Sequence, residues 1–336
     1  MARSLTRSHA HGDSGERSCK SSAADGLSGQ TFRAWAGSQR VGWVVDREVM
    51  MESKAVDAVE FRDGQRQQWN SAATGWRRWS ELIDGAASGI SERLVELAGV
   101  ERGSRVLDVA AGYGEPSLTA ARVAGPGGAV LATDISADMI AFGRERLAAA
   151  GLENIEFVQS DAASLDFPEA SFDAALSRWG IIFEPDAEAA AARIRGFLEP
   201  GGRMAISSWG APDRVPFLAI PMRTAMQRLQ VPSPPPGTPG PLSRPTPQAL
   251  GGLLEAAGFS NVEVEEAEVT FEWHSPEEFT TFIREIAPPI TAMIAPHPQE
   301  VQDETWAAIA EAVREAAGDG EAVRLSNLVL LAAGRA

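Results

Sequence analysis

The chain has 336 residues, with 46 Asp and Glu against 30 Lys and Arg and a net charge of −16, a balance that excludes non-specific nucleic-acid binding and disfavours a polyanionic substrate. One cysteine, Cys19, excludes an intrachain disulfide and a cysteine-based zinc site, and the four histidines (His9, His11, His274, His297) show no metal-ligand spacing, so no metal is expected. No apolar run approaches the ~20 residues needed to span a bilayer, and a soluble cytoplasmic protein is the expectation.

Residues 1–55 are rich in Ser, Gly and Arg and show no sustained period. They are expected to be a disordered extension. They have no apolar core flanked by a cleavage site, so a secretory signal is not supported. Met50 or Met51 is an alternative start. From 56 to 336 one ordered domain is expected. Its core is 100–210, and its lid or substrate segments are 60–99, 210–247 and 274–320. Residues 64–84, with Trp69, Trp76 and Trp79, read as a helix, and 88–99 as a second one closed by Gly99. Trp76 and Trp79, three apart, share a helix face that either packs in the core or meets a substrate.

Strands and helices then alternate. Strands are expected at 105–109, 129–133, 155–159, 172–177 and 203–208. Helices are expected at 116–124, 136–150 and 187–198, with Ser136 and Asp186 as N-caps of the last two. Such alternation implies a parallel sheet wound on both sides. Residues 231–247 hold eight prolines, which rule out a helix or central strand. This stretch is a surface linker or a lid beside the substrate. A helix follows to Ala257. Asn261–Trp273 reads as a strand, 276–318 as helix broken at Pro288-Pro289 and Pro296, and Val323–Ala333 as the last strand. The last two strands form an antiparallel edge.

The first strand runs into a turn, Val106-Leu107-Asp108-Val109-Ala110-Ala111-Gly112-Tyr113-Gly114. The second ends on Asp134, 20 residues after Gly114. Glycines let the backbone approach a nucleoside cofactor, and an acid on the next strand can take two ribose hydroxyls. The third glycine of a dinucleotide turn is replaced by Ser117. A carboxylate at Asp108 would repel a pyrophosphate but could accept from an ammonium. Both points favour S-adenosylmethionine over NAD.

These stretches, with Thr133-Asp134-Ile135-Ser136, Gln159-Ser160-Asp161-Ala162, Ser171-Phe172-Asp173-Ala174-Ala175-Leu176-Ser177-Arg178 and Phe197-Leu198-Glu199-Pro200-Gly201-Gly202-Arg203, resemble the class I S-adenosylmethionine-dependent methyltransferases. The resemblance is nearest to the ubiquinone/menaquinone C-methyltransferase group and covers roughly 65–335. It implies a doubly wound, Rossmann-like α/β sheet of seven strands in the order 3-2-1-4-5-7-6, with strand 7 antiparallel. It also implies S-adenosylmethionine as cofactor. Gly112 and Gly114 would pass beneath the ligand, and Asp134 would hold both ribose hydroxyls. Asp161 and the Ala162 amide would meet the adenine, unless Asp161 merely caps a helix. Ser177 and Arg178 would floor the methionine, and Ile135 and Ala110 complete the contacts. Ala110 departs from the usual glycine of that motif.

The reaction implied is an in-line displacement on an activated methyl, so the enzyme's work is alignment. Aromatic faces stabilise a sulfonium, and Trp179 and Trp209 are candidates, with core packing as the alternative for each. Tyr113 either leans over the sulfonium or packs on the N-terminal helix. His274 is the best-placed base, with a structural role as its alternative. The expected partner is a small-molecule methyl acceptor, hydrophobic or aromatic, such as a quinone precursor or secondary metabolite. The oligomeric state is not readable. A catalytically inactive cofactor binder and an NAD-linked oxidoreductase are the competing readings.

Overall fold

The computed structural model describes residues 58–235, 237–318 and 322–336. The expected extension 1–55, with Cys19, His9, His11 and the alternative starts, lies outside the described residues.

Among the described residues the helices α1 (Ala58–Arg78) and α2 (Ser80–Leu97) come first. The expected helix over 64–84 is thus divided, and the second helix begins eight residues earlier than 88. The boundary is Trp79, at φ −98 and ψ 8. The cause is tertiary: the Trp79 indole donates to Glu285 at 2.7 Å and packs edge-on against Phe282.

The central sheet follows, with β1 (Arg105–Val109), α3 (Ser117–Ala124), β2 (Ala129–Asp134), α4 (Ala137–Ala150) and β3 (Ile155–Gln159). Next come β4 (Phe172–Arg178), α5 (Ala187–Phe197) and β5 (Leu198–Trp209). β1 is buried along four of its five residues because it has strands on both sides and helices on both faces. It pairs in parallel with β2 and β4. Ser136 caps α4 by accepting from the Met139 amide, and Asp186 caps α5 by accepting from Ala189. Both satisfy amides that a helix start leaves open.

The pattern announced no element for 210–230, yet α6 (Pro216–Leu229) fills it, with a proline in its first turn where no donor is needed. Among the described residues, the stretch 231–246 forms no helix or strand. It is tied at Gly240 N and Ser243 Oγ to the Ile182 carbonyl. After α7 (Pro247–Ala256), β6 (Ser260–Trp273) leads into α8 (Pro276–Ile286), α9 (Pro288–Ile294) and α10 (Gln299–Ala317). The prolines start these helices rather than interrupt one. β7 (Val323–Arg335) returns between β5 and β6, antiparallel to both. The sheet order is β3-β2-β1-β4-β5-β7-β6. Among the described residues no helix is long and apolar enough to cross a membrane.

Candidate active site

A cavity opens at the carboxyl ends of the parallel strands, where such sheets place their ligands. One rim carries Gly112, Asp134, Ile135, Ser160, Asp161 and Ala162. The other end is walled by Trp179, Trp209, Phe217, Leu218, Met222, Phe271, Phe282 and the α8–α9 corner. Helix α1 lies along it, contributing Phe61, Arg62, Gln65, Trp69 and Trp76.

The turn after β1 is set by backbone geometry. Ala110 has φ +56, Gly112 φ +56 and Gly114 φ +107. A side chain on Gly114 would be strained by that φ and would sit 3.2 Å from Phe157. Over Gly112 nothing lies within 4 Å of where a Cβ would point, so the backbone faces open space. Ala110 keeps its methyl at a positive φ, at a cost of about 1–2 kcal/mol. That methyl is also why residue 180 is glycine: a Cβ there would lie 2.4 Å from it.

Asp134 accepts from Gly112 N and Ser136 N, both at 2.8 Å, one on each oxygen. Each oxygen keeps a free lone pair for a ribose hydroxyl. Burial pushes its carboxyl up to about 6, against the pull of those amides and of the Ile135 amide. Asp108 is wholly buried beneath the turn and does not line the cavity. One of its oxygens accepts from Ser117, and the other has no hydrogen-bond partner. Burial raises its carboxyl to about 7, opposed by Ser117 and by the field of Arg178. A buried orphan acceptor next to an open glycine turn, with a two-acceptor acid on the neighbouring strand, fits an adenosyl ligand bearing positive charge.

Asp161 takes the Ser164 amide as a cap at 3.0 Å and pairs with Arg62 at 3.6 Å. The Ala162 amide faces Glu184, a carboxyl raised mainly by burial. Arg62 and Glu184 were not singled out in the sequence. Nothing local marks them, since the fold alone brings residues so far apart together. Gly114 and Ser177 are off the cavity wall. Ser177 Oγ instead donates to the Val109 carbonyl and accepts from Ile181 N, fastening β4 to β1. Arg178, by contrast, is in the wall.

The two expected catalytic groups, His274 and Tyr113, are placed differently. The His274 side chain is 94% exposed and paired with Glu278, outside the cavity. Phe271 and Trp273 turn inward along β6, so the period of two sends residue 274 outward. The Tyr113 ring borders the cavity, but its hydroxyl donates to Asp84 of α2 at 2.9 Å. Its ring is also held against Trp76, Phe142 and Arg146, and burial moves its ionisation further up. It is packed against the N-terminal helices while its ring stays in the cavity wall. Of the tryptophans, Trp179 and Trp209 stack at 4.4 Å and 7° in the wall, and Trp76 donates to the Ile286 carbonyl at 3.1 Å. Among the described residues no group of His, Cys, Asp and Glu is gathered to hold a metal.

Comparison with known proteins agrees with this geometry. A family model described as a methyltransferase domain matches residues 106–202. The ubiquinone/menaquinone biosynthesis C-methyltransferase UbiE of Stutzerimonas stutzeri (strain A1501) is 31% identical over 205 residues, 58% of this chain and 80% of that protein. The Cellvibrio japonicus (strain Ueda107) protein of the same name is 30% identical over 228 residues, 65% of this chain and 89% of its own. In fold, the chain is similar to Haemonchus contortus phospholethanolamine N-methyltransferase 2, with a TM-score of 0.51 at 21% identity, covering 83% of this chain and 61% of that one. These matches support the methyltransferase reading and lend the oxidoreductase alternative no support. The chain belongs to the class I S-adenosylmethionine-dependent methyltransferases, in the group of the ubiquinone/menaquinone C-methyltransferases.

Proposed function

We propose that the enzyme transfers the methyl group of S-adenosylmethionine to a small hydrophobic or aromatic acceptor, a quinone precursor or a related secondary metabolite. In this reading Asp134 holds the ribose hydroxyls, and Asp108 balances the ligand's positive charge from beneath the turn. Asp161 and the Ala162 amide read the adenine edge, exchanging Arg62 and Glu184 for it. Ala110, Gly112 and Ile135 border the adenosyl group.

The observation that carries the acceptor class is the far end of the cavity, where Trp179, Trp209, Phe217, Phe271 and Phe282 stand together. Such a chamber binds flat apolar molecules through burial and ring contact. The relatives named above are quinone C-methyltransferases, which agrees with an aromatic acceptor. The decisive assay is turnover, read as S-adenosylhomocysteine release. It compares 1,4-naphthohydroquinone and 2-naphthol with glycine and a short peptide. Methylation of the aromatic compounds alone is expected. Turnover of the amine or peptide without the aromatics overturns the reading, and none with any acceptor favours a silent cofactor binder.

A further inference from the structure

We infer that Arg178 is the anion anchor of the acceptor site, and that the acceptor reacts as an ionised aromatic hydroxyl compound, a phenolate or enolate. This rests on the aromatic acceptor proposed above and goes further, to the charge the acceptor carries.

Arg178 ends β4 in the cavity wall, only 8% exposed. Its guanidinium donates from Nη1 to Ser91 Oγ at 2.9 Å. Among the described residues it has no ion pair. Asp108 feels its field without forming an ion pair with it. A buried guanidinium without a counter-ion is costly unless an anion meets it. The other ionisable groups of the wall are already engaged. Arg62 has Asp161, Asp134 has two backbone amides, and Glu184 faces the Ala162 amide. Glu115 accepts from Thr119 and pairs with Arg122, and the Tyr113 hydroxyl is given to Asp84.

The guanidinium also has a side. Its carbon lies 5.2 Å from the Trp179 ring centre, and that ring stacks on Trp209. It therefore belongs to the aromatic end of the cavity. Among the described residues no histidine, lysine or cysteine lines the wall, and its carboxylates, Glu115, Asp134, Asp161 and Glu184, are each held by the partners just named. Arg178 removes the need for a general base: a fixed cation lowers the acceptor's own ionisation point. The acceptor's proton leaves to water as it binds. An electron pair of the anion, from its oxygen or the conjugated ring carbon, then forms the bond to the methyl carbon. The carbon–sulfur bond breaks, and its pair stays on sulfur. One negative and one positive charge cancel. If carbon is methylated, the ring proton is lost afterwards and restores the hydroxyl.

The test uses the full chain saturated with S-adenosylhomocysteine, and 4-nitrophenol, whose absorbance reports its ionisation. On the wild type, the ratio of phenolate to phenol should be about tenfold higher than in the same buffer. Arg178→Lys should keep part of that rise and Arg178→Gln should lose it, with S-adenosylhomocysteine affinity within about twofold in both. If the wild type binds the phenol in neutral form, as a merely apolar chamber would, the inference fails while the aromatic-acceptor reading stands. A tenfold loss of S-adenosylhomocysteine affinity in Arg178→Gln assigns the guanidinium to the cofactor and also overturns it. No binding of 4-nitrophenol at all overturns the aromatic-acceptor reading, and this inference with it.

Discussion

Asp134 accepts a hydrogen bond from the Gly112 amide at 2.8 Å, so this acid and the glycine turn are one unit. The carboxylate that would hold the cofactor also holds the backbone the cofactor lies on. Asp134→Asn leaves one amide facing an NH2 group rather than an oxygen. Loss of a satisfied buried acceptor costs about 1–3 kcal/mol of folding stability. S-adenosylhomocysteine affinity should fall at least about tenfold, or 1.4 kcal/mol. Calorimetry and thermal melting measure both, and normal affinity in this variant would remove Asp134 from the ribose site.

The two buried acids make stability depend on pH in an unusual direction. Asp108 and Asp134 ionise in the fold at about 7 and about 6, above the ordinary carboxylate value of 3.8. Between those values the native state holds protons that the unfolded chain has lost. Stability from this pair is therefore full below about pH 4, falls as pH rises through 7, and then levels. Asp108→Asn should flatten much of that fall, raising stability above pH 7 by a few kcal/mol at most. Urea titrations at pH 5, 7 and 8.5 read it. The cationic cofactor should show the converse, binding more tightly as pH rises through 7. A slope of the opposite sign would place these carboxylates in contact with cations that the structure does not contain.

His274→Ala should leave kcat within about twofold, because the imidazole stands in solvent and not in the cavity. Surface changes of this kind typically alter stability by no more than about 0.5 kcal/mol. A large fall in kcat with unchanged cofactor binding would restore the histidine to the chemistry.

Gly75 marks where α1 crosses α8. A Cβ there would lie 2.2 Å from the Glu285 carbonyl oxygen. Gly75→Ala must push the helices apart, which costs about 1–3 kcal/mol in a packed interface. The same shift disturbs the Trp76–Ile286 bond beside the aromatic chamber. The melting temperature should fall and KM for the acceptor should rise more than KM for the cofactor. An unaffected melting temperature would show that the crossing is loose.

Local chemistry made much of this fold readable. The strands at 105–109 and 155–159 stand where their apolar runs put them, and Ser136 and Asp186 cap the helices they precede. The rim of the cavity was readable too, because the glycine turn and Asp134 are neighbours in one strand–helix–strand unit. What failed depended on distant partners. Trp79 divides two helices through Glu285 and Phe282, with no local breaker to announce it. Arg62 and Glu184 gain meaning only when α1 lies across the sheet. His274 looked well placed by its position after a strand, but the alternation of β6 turned it away.

Helix α1 reaches both ends of the cavity, with Arg62 beside Asp161 and Trp76 tied to Ile286, while Asn70 accepts from Ser136 at 2.6 Å between them. One helix thus borders both ends of the cavity, so any displacement of α1 would be felt at the Asp134–Asp161 rim and at the aromatic end together.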